Sequence, residues 1–197
     1  MTISSKLKLI GLSGTNGAGK DSVGEMLAER HGYIFVSVTD MLREELKRRE
    51  LPIIRENTSK LSAEWRREYG MGVLVDKAID YYKTHSTNRG GLVLASLRHP
   101  AEADAVHANG GTVIWVDADP NVRYARIQAN AHQRNRAGED NRTYEQFLAD
   151  EQREMYPEGD EATLNGAAVK ERADIFLQNN GNDIEAFKQE VEKALGL

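Results

Sequence analysis

The stretch LIGLSGTNGAGKDSVGEML at residues 9–27 decides how the chain folds. It begins as an apolar strand, ends as a helix, and carries between them the pattern G-x-x-x-x-G-K, formed by Gly14, Gly19 and Lys20. Glycines allow successive backbone N–H groups to turn toward one point, and the start of the following helix favours an anion there. Lys20 adds a point charge. The position of the motif between a strand and a helix predicts a site for the phosphates of a nucleotide.

The residue after the lysine departs from the usual pattern. A Ser or Thr normally follows and its hydroxyl binds Mg²⁺, whereas here Asp21 follows and the hydroxyl belongs to Ser22. Asp21 either stabilises the helix start, by about 0.3 to 1 kcal/mol, or helps to hold the metal. We expect ATP and Mg²⁺ as cofactors, with the metal near Ser22 and Asp21. The residues expected to contact the nucleotide are Gly14, Asn16, Gly17, Ala18, Gly19, Lys20, Asp21 and Ser22.

The composition of the 197 residues excludes several classes of site and partner. There is no cysteine, which rules out disulfides and thiolate metal sites. No apolar run approaches the roughly 20 residues of a bilayer span, and the first residues lack the pattern of a secretory signal. A formal net charge of −5 argues against general nucleic-acid binding. We therefore expect a soluble cytoplasmic protein, monomeric or homodimeric, with no nucleic-acid or membrane partner.

Short apolar runs alternate with segments of helical length along the rest of the chain. The runs lie at 7–12, 33–38, 92–97, 112–117 and 174–179. Nearly continuous apolar strands that alternate with helices predict a parallel sheet covered on both faces. We expect one α/β domain over residues 1–197, with three layers and about five parallel strands. A helical insertion is predicted at 40–85, and a short arginine-bearing loop at 130–142.

Several segments resemble the nucleoside monophosphate kinases of the P-loop superfamily. GTNGAGKDS resembles their phosphate-binding loop, which also places its hydroxyl one position later. SVTDMLREEL (37–46) is similar to the segment that opens their acceptor-binding helices, and LVLASLRHPAEADAV (92–106) to a strand and turn ending in an acceptor-phosphate arginine. RAGEDN (136–141) resembles a short lid, and ADIFLQNNG resembles the last strand of dephospho-CoA kinases. The resemblance spans most of the chain and extends to uncharacterised archaeal and bacterial kinase-like P-loop proteins.

This resemblance implies a P-loop NTPase fold, an ATP-dependent phosphotransferase and roles for particular residues. Arg126, in a segment similar to the helix before the lid, would pack on the donor adenine, and Asp40, Arg43 and Arg98 would bind the acceptor. Arg43 and Arg98 also follow the second and third predicted strands, which places both beside Lys20 at the carboxyl edge of the sheet. Two guanidinium groups can grip one phosphate bidentately. The lid arginines expected to bind the acceptor or neutralise the group in transit are Arg134, Arg136 and Arg142.

The predicted reaction is transfer of the ATP γ-phosphoryl group to a small phosphorylated acceptor, a nucleoside or deoxynucleoside monophosphate. A dephospho-CoA kinase-like activity, with a sugar hydroxyl as acceptor, is an alternative. A nucleotide-binding sensor with little turnover is another, because related kinases carry an acidic residue where this chain has Leu94, Ala95 and Ser96. Trp65 and Tyr69 share a predicted helical face and either pack in the core or line the acceptor site.

Overall fold

The computed structural model describes residues 7–85, 90–130 and 142–197, and within them five strands form one sheet. The strands are β1 (Leu9–Gly14), β2 (Tyr33–Ser37), β3 (Gly91–Ala95), β4 (Thr112–Asp117) and β5 (Ile175–Gln178). Their order is β2-β3-β1-β4-β5, and every neighbouring pair is parallel. The expected five-stranded parallel sheet is confirmed. Its carboxyl edge brings the ends of β1, β3 and β4 together.

Helices connect the strands and cover both faces of the sheet. In the described part of the chain they are α1 (Lys20–His31), α2 (Val38–Arg48), α3 (Arg55–Tyr69), α4 (Val73–His85), α5 (Pro100–Ala108), α6 (Pro120–Ala129), α7 (Tyr144–Met155), α8 (Gly166–Lys170) and α9 (Ile184–Leu195). None of these helices is long and apolar enough to cross a bilayer.

Alternate residues of each strand pack into two separate hydrophobic cores, one on each face of the sheet. Leu92 belongs to the core beneath α4 and α5, whereas Val93 belongs to the core beneath α1 and α9. Burial on both faces explains why the strands read as continuous apolar runs, since neither face is left to solvent. The helical insertion predicted at 40–85 corresponds to α2, α3 and α4, and of the predicted lid at 130–142 the structure describes only Asn130 and Arg142.

Replacing Gly14 at the end of β1 by alanine is expected to lower the free energy of unfolding by about 3 kcal/mol. Gly14 has φ +133, and an added Cβ would lie 1.8 Å from the carbonyl oxygen of Val116 in β4, which cannot move without breaking the sheet. Gly70→Ala is the matched control, because Gly70 also has a positive φ (+103) but nothing within 4 Å of the added Cβ. Urea unfolding of both variants separates the cost of the positive φ from the cost of the contact with Val116. Equal losses of unfolding free energy would show that the contact with Val116 does not destabilise the protein.

Candidate nucleotide and acceptor site

The loop at residues 15–19 joins β1 to α1 at the carboxyl edge, and its first half is tied to β4 and α6. The Thr15 hydroxyl donates a hydrogen bond of 2.7 Å to Oδ1 of Asp117, the last residue of β4. The carbonyl oxygen of Asn16 accepts from Nη1 of Arg123 at 3.3 Å. Arg123 is itself buried and paired with Glu151 of α7. The loop is therefore held in shape by side chains that lie behind it.

The second half of the loop is held by the segment after β5. Nδ2 of Asn179 donates to the carbonyl oxygen of Ala18 at 2.9 Å, and Asn179 is buried. Gly19 has φ +102, a conformation that favours glycine. Within the described residues, the backbone N–H groups of Gly17 and Gly19 have no partner. Because they are unbonded and lie directly before α1, these N–H groups are available to an anion at the start of that helix.

Lys20, the first residue of α1, is only 7% exposed and lies against this loop. Its Nζ donates to the carbonyl oxygen of Thr15 at 2.6 Å. Burial lowers the pKa of Lys20 from 10.5 to about 7, and the charge of Arg98 adds to this effect, while Asp21 and Glu154 oppose it. A buried cation that is poorly neutralised by the protein is stabilised by a bound phosphate.

We expect ATP binding at pH 8 to take up a proton. The pKa of Lys20 is about 7 in the free protein, so the amine is mostly neutral at pH 8, and an adjacent polyphosphate raises that pKa. ATP affinity should therefore fall as pH rises above about 7. Isothermal titration calorimetry in two buffers of different ionisation enthalpy measures the uptake, which should approach one proton and disappear in Lys20→Met. An enthalpy independent of the buffer would contradict it.

A cleft of about 640 Å³ opens in front of the loop. Asp21 and Ser22 line it beside Lys20, and the Ser22 hydroxyl has no hydrogen-bond partner in the part of the chain that the structure describes. A hydroxyl and a carboxylate are hard oxygen donors of the kind that Mg²⁺ prefers, so these two residues fit the metal expected there. When bound, Mg²⁺ would neutralise phosphate charge. The described residues contain no cluster of three or more His, Cys, Asp or Glu suited to a metal on its own.

Arg126 of α6 lies at one end of the cleft, and the segment after β5 forms this end. Its Nη1 donates to the Asn179 carbonyl at 2.8 Å, and its Nη2 donates to the Gly181 carbonyl at 2.5 Å. These bonds fix the guanidinium plane on the wall of the cleft, close to the residue that holds the loop. The predicted contact between Arg126 and the donor adenine stays a prediction, and its position in the cleft is compatible with it.

Arg98, in the turn after β3, lines the same cleft as Lys20. Its Nη1 donates to Oε2 of Glu154 in α7 at 2.5 Å. Next to it is a smaller pocket of about 80 Å³, which Arg98 also lines together with Arg55 and Glu154. The structure thus brings the predicted acceptor arginine and the donor-loop lysine to one opening, as their places at the carboxyl edge of β3 and β1 require.

Arg43 and Asp40 are placed elsewhere. They pair with each other on α2 at 3.2 Å, and neither is among the residues lining the cleft or the smaller pocket. The residues of α2 that do line the smaller pocket are Val38, Thr39 and Leu42. Because successive helix residues are turned by about 100°, Asp40 and Arg43 lie on the adjacent face. The structure therefore does not join Arg43 to Arg98 and Lys20.

Of the predicted lid arginines, Arg134 and Arg136 lie outside the described residues. Arg142 forms an ion pair with Asp150 of α7, and its carbonyl oxygen accepts a 2.8 Å hydrogen bond from the Tyr124 hydroxyl. It is not among the residues lining the cleft. The roles predicted for Arg134, Arg136 and Arg142 at the acceptor remain predictions.

Two residues of the site, Arg55 and Glu154, were not predicted from the sequence. Arg55 opens α3 and meets Glu154 across 99 positions of sequence, a pairing that local patterns do not reveal. A weaker signal existed in α7, where Phe147, Glu151 and Glu154 follow the i, i+4, i+7 spacing of one helical face. An acidic pair on the apolar side of a helix indicates buried cationic partners.

Residues 10–148 match the family model described as an AAA domain. A UPF0200 protein of Pyrobaculum aerophilum is 30% identical over 192 residues, which cover 96% of this chain and 97% of the relative. The chain belongs to the UPF0200 family and contains an AAA domain. The expected resemblance to kinase-like P-loop proteins is confirmed.

Solved structures agree on the fold. Shikimate kinase from Bacteroides thetaiotaomicron matches with a TM-score of 0.62 at 13% identity, over 96% of this chain and 99% of the other. Shikimate kinase from Acinetobacter baumannii, solved in complex with shikimate, matches with a TM-score of 0.58 at 15% identity, over 96% and 94%. At such identities the likeness concerns the fold alone, which is the P-loop NTPase α/β fold.

Proposed function

We propose that this UPF0200 protein is an ATP-dependent small-molecule kinase that transfers the γ-phosphoryl group to an acceptor carrying a phosphate. The observation that carries the proposal is the common opening of two anion sites: the loop with Lys20 for the donor, and the pocket with Arg98 and Arg55 for the acceptor. A kinase must hold two anionic groups together against their repulsion, so it needs cations on both.

In the proposed mechanism the protein binds, orients and neutralises, and forms no covalent intermediate. Lys20 and the N–H groups of Gly17 and Gly19 hold the donor phosphates. Arg98 stands between the donor cleft and the acceptor pocket, where its charge faces the phosphoryl group in transit. Positioning and charge stabilisation supply most of the rate in this type of transfer.

In the proposed mechanism Arg55 has the acceptor-binding role that was expected of Arg43. Arg55 lies across the smaller pocket from Arg98, and both bind the Glu154 carboxylate, so the two guanidinium groups converge on one point. Arg43 would have to leave Asp40 and rotate around α2 to reach the same point. We therefore assign the binding of the acceptor phosphate to Arg55 and Arg98.

Nucleoside and deoxynucleoside monophosphates are the acceptor class to test first. Within the described residues no aromatic side chain lines the smaller pocket, because Trp65 is 8% exposed in the core and Tyr69 is 57% exposed on the outer surface. Hydroxyl side chains line it instead: Thr39, Thr58, Ser59, Ser62 and Ser96. An acceptor sugar or base would therefore be held by hydrogen bonds and not by stacking.

Two alternatives each have an observation in their favour. The hydroxyl-lined pocket also suits a sugar alcohol as acceptor, as in a dephospho-CoA kinase-like reaction. The end of β3 carries Ala95 and Ser96 and no carboxylate, which favours a nucleotide-binding sensor with little turnover. Ser96 has φ +71 and lines both the cleft and the pocket, so a serine occupies the strand end at which related kinases carry the acidic residue.

Incubation with ATP, Mg²⁺ and a panel of nucleoside monophosphates, deoxynucleoside monophosphates and dephospho-CoA distinguishes these possibilities. The proposal predicts ADP formation that depends on a monophosphate and is lost in Arg55→Ala and Arg98→Ala, while Arg43→Ala, the matched control, keeps it. Dependence on dephospho-CoA alone supports the first alternative. Tight ADP binding without any acceptor-stimulated turnover supports the sensor.

A further inference from the structure

Glu154 occupies the place where the acceptor anion is expected. Its side chain is 16% exposed, in the last turn of α7, and its carboxylate lies between the guanidinium groups of Arg55 and Arg98. Arg55 donates from both Nε (2.8 Å) and Nη2 to Oε1, and Arg98 donates from Nη1 to Oε2. This is the set of bonds that a bound phosphate would make with the same two arginines.

The charges of the two arginines hold this carboxylate in its ionised form. Burial alone would raise the pKa of Glu154, but Arg98 and Arg55 outweigh it and lower the pKa. The two arginines and the glutamate together carry one net positive charge. The neighbouring pair of Arg66 and Glu102 adds none, since its two charges cancel.

On the basis of the proposed function, we propose that Glu154 is a specificity-determining residue. Its carboxylate occupies the anion-binding position between Arg55 and Arg98 until the acceptor phosphate displaces it. Arg55 has both N–H groups of its Nε edge engaged by Glu154, so an incoming oxyanion cannot use that edge while Glu154 stays. Glu154 is the second-last residue of α7, where a side chain can turn outward without disturbing a helix interior.

This exchange selects the charge of the acceptor. If a carboxylate ligand displaces the Glu154 carboxylate from the two arginines, the charge between them is unchanged. Such a ligand therefore gains no electrostatic free energy over Glu154. A phosphate monoester, which is largely a dianion at pH 8, brings two negative charges to two guanidinium groups and so outcompetes Glu154. The inferred ligand class is a phosphate monoester, and simple carboxylates are rejected.

The test measures anion binding with the donor loop filled by ADP, using inorganic phosphate and acetate as probes at pH 8. Wild-type protein should bind phosphate at least about tenfold more tightly than acetate. Removing the competing charge in Glu154→Gln should tighten phosphate binding by about tenfold. Glu154→Gln binding phosphate no better than wild type, or more weakly, would show that Glu154 only braces the arginines and would overturn the inference.

Glu145→Gln is the control, because Glu145 is exposed in the first turn of α7 and lines neither the cleft nor the smaller pocket. It removes the same charge from the same helix without touching Arg55 or Arg98, and should leave phosphate binding within twofold. A tenfold gain in this control would assign the effect to general charge and overturn the inference. Arg55→Ala should weaken phosphate binding.

Crystals of the wild-type protein soaked in ADP and sodium phosphate provide a measurement that does not depend on a variant folding. The expected result is phosphate between Arg55 and Arg98, with the Glu154 carboxylate turned away. Glu154 still bound to Arg55 with phosphate in place would overturn the exchange while leaving the kinase proposal intact. Failure of the wild-type protein to bind ADP would contradict the kinase proposal and, with it, this inference.

Discussion

Lys20→Met is expected to weaken ATP binding by about 10- to 100-fold, since a charged hydrogen-bond donor is removed from the donor loop. Turnover should fall further, by about 100- to 1,000-fold, because the charge also stabilises the phosphoryl group during transfer. Methionine has a similar shape, and removing a buried charge does not expose the core, so the variant should fold. The loss then reports on binding and not on unfolding.

Calorimetry with ATP and the ADP-release assay measure the two effects of this substitution. Lys47→Met is the matched control, because Lys47 is exposed on α2 and does not line the cleft. It should change neither quantity. If Lys20→Met binds ATP within twofold of wild type, the loop is not the donor site.

Arg66→Ala is expected to lower the free energy of unfolding by about 3 to 5 kcal/mol. Arg66 is 1% exposed, and its Nη2 lies 2.7 Å from Oε1 of Glu102, which is fully buried. Truncating Arg66 leaves the Glu102 charge without its counter-ion in a low-dielectric interior. The other oxygen of Glu102 accepts from the backbone N–H groups of Arg98 and His99, so the same change should loosen the turn that carries Arg98.

The neighbouring residue gives a matched control for this prediction. Arg67 pairs with Asp160 at 2.7 Å, but both side chains are more than half exposed. Arg67→Ala should therefore cost no more than about 1 kcal/mol. Urea unfolding of the two variants compares a buried pair with an exposed one on the same helix, and a loss below 1 kcal/mol for Arg66→Ala would contradict the prediction.

The sheet, the loop and Arg98 were predictable because each follows from local sequence and the geometry of parallel strands. The G-x-x-x-x-G-K pattern fixes β1 and α1, and Arg98 follows β3 at the edge where Lys20 lies. The same reasoning placed Arg43 correctly after β2, but it did not fix its direction. That depends on the phase of α2, which turns Thr39 and Leu42 to the pocket.

Arg55 and Glu154 were beyond prediction for a different reason. They belong to α3 and α7, which do not begin at strand ends, and they meet only through tertiary packing. No spacing in a single sequence relates two charged residues 99 positions apart. An isolated arginine is usually a solvated surface residue. The helical-face spacing of Glu154 indicates a buried cationic partner but does not identify it, so only the fold pairs Glu154 with Arg55.

In the proposed function one cleft holds donor and acceptor together for direct phosphoryl transfer. A single-turnover experiment with ATP labelled in the γ-phosphate, the full protein and the acceptor selected from the panel tests it most directly. The proposed function predicts that the label passes to the acceptor, and that Arg55→Ala and Arg98→Ala abolish this transfer while ATP remains bound. Label found only in inorganic phosphate, at the same rate with and without acceptor, would contradict it.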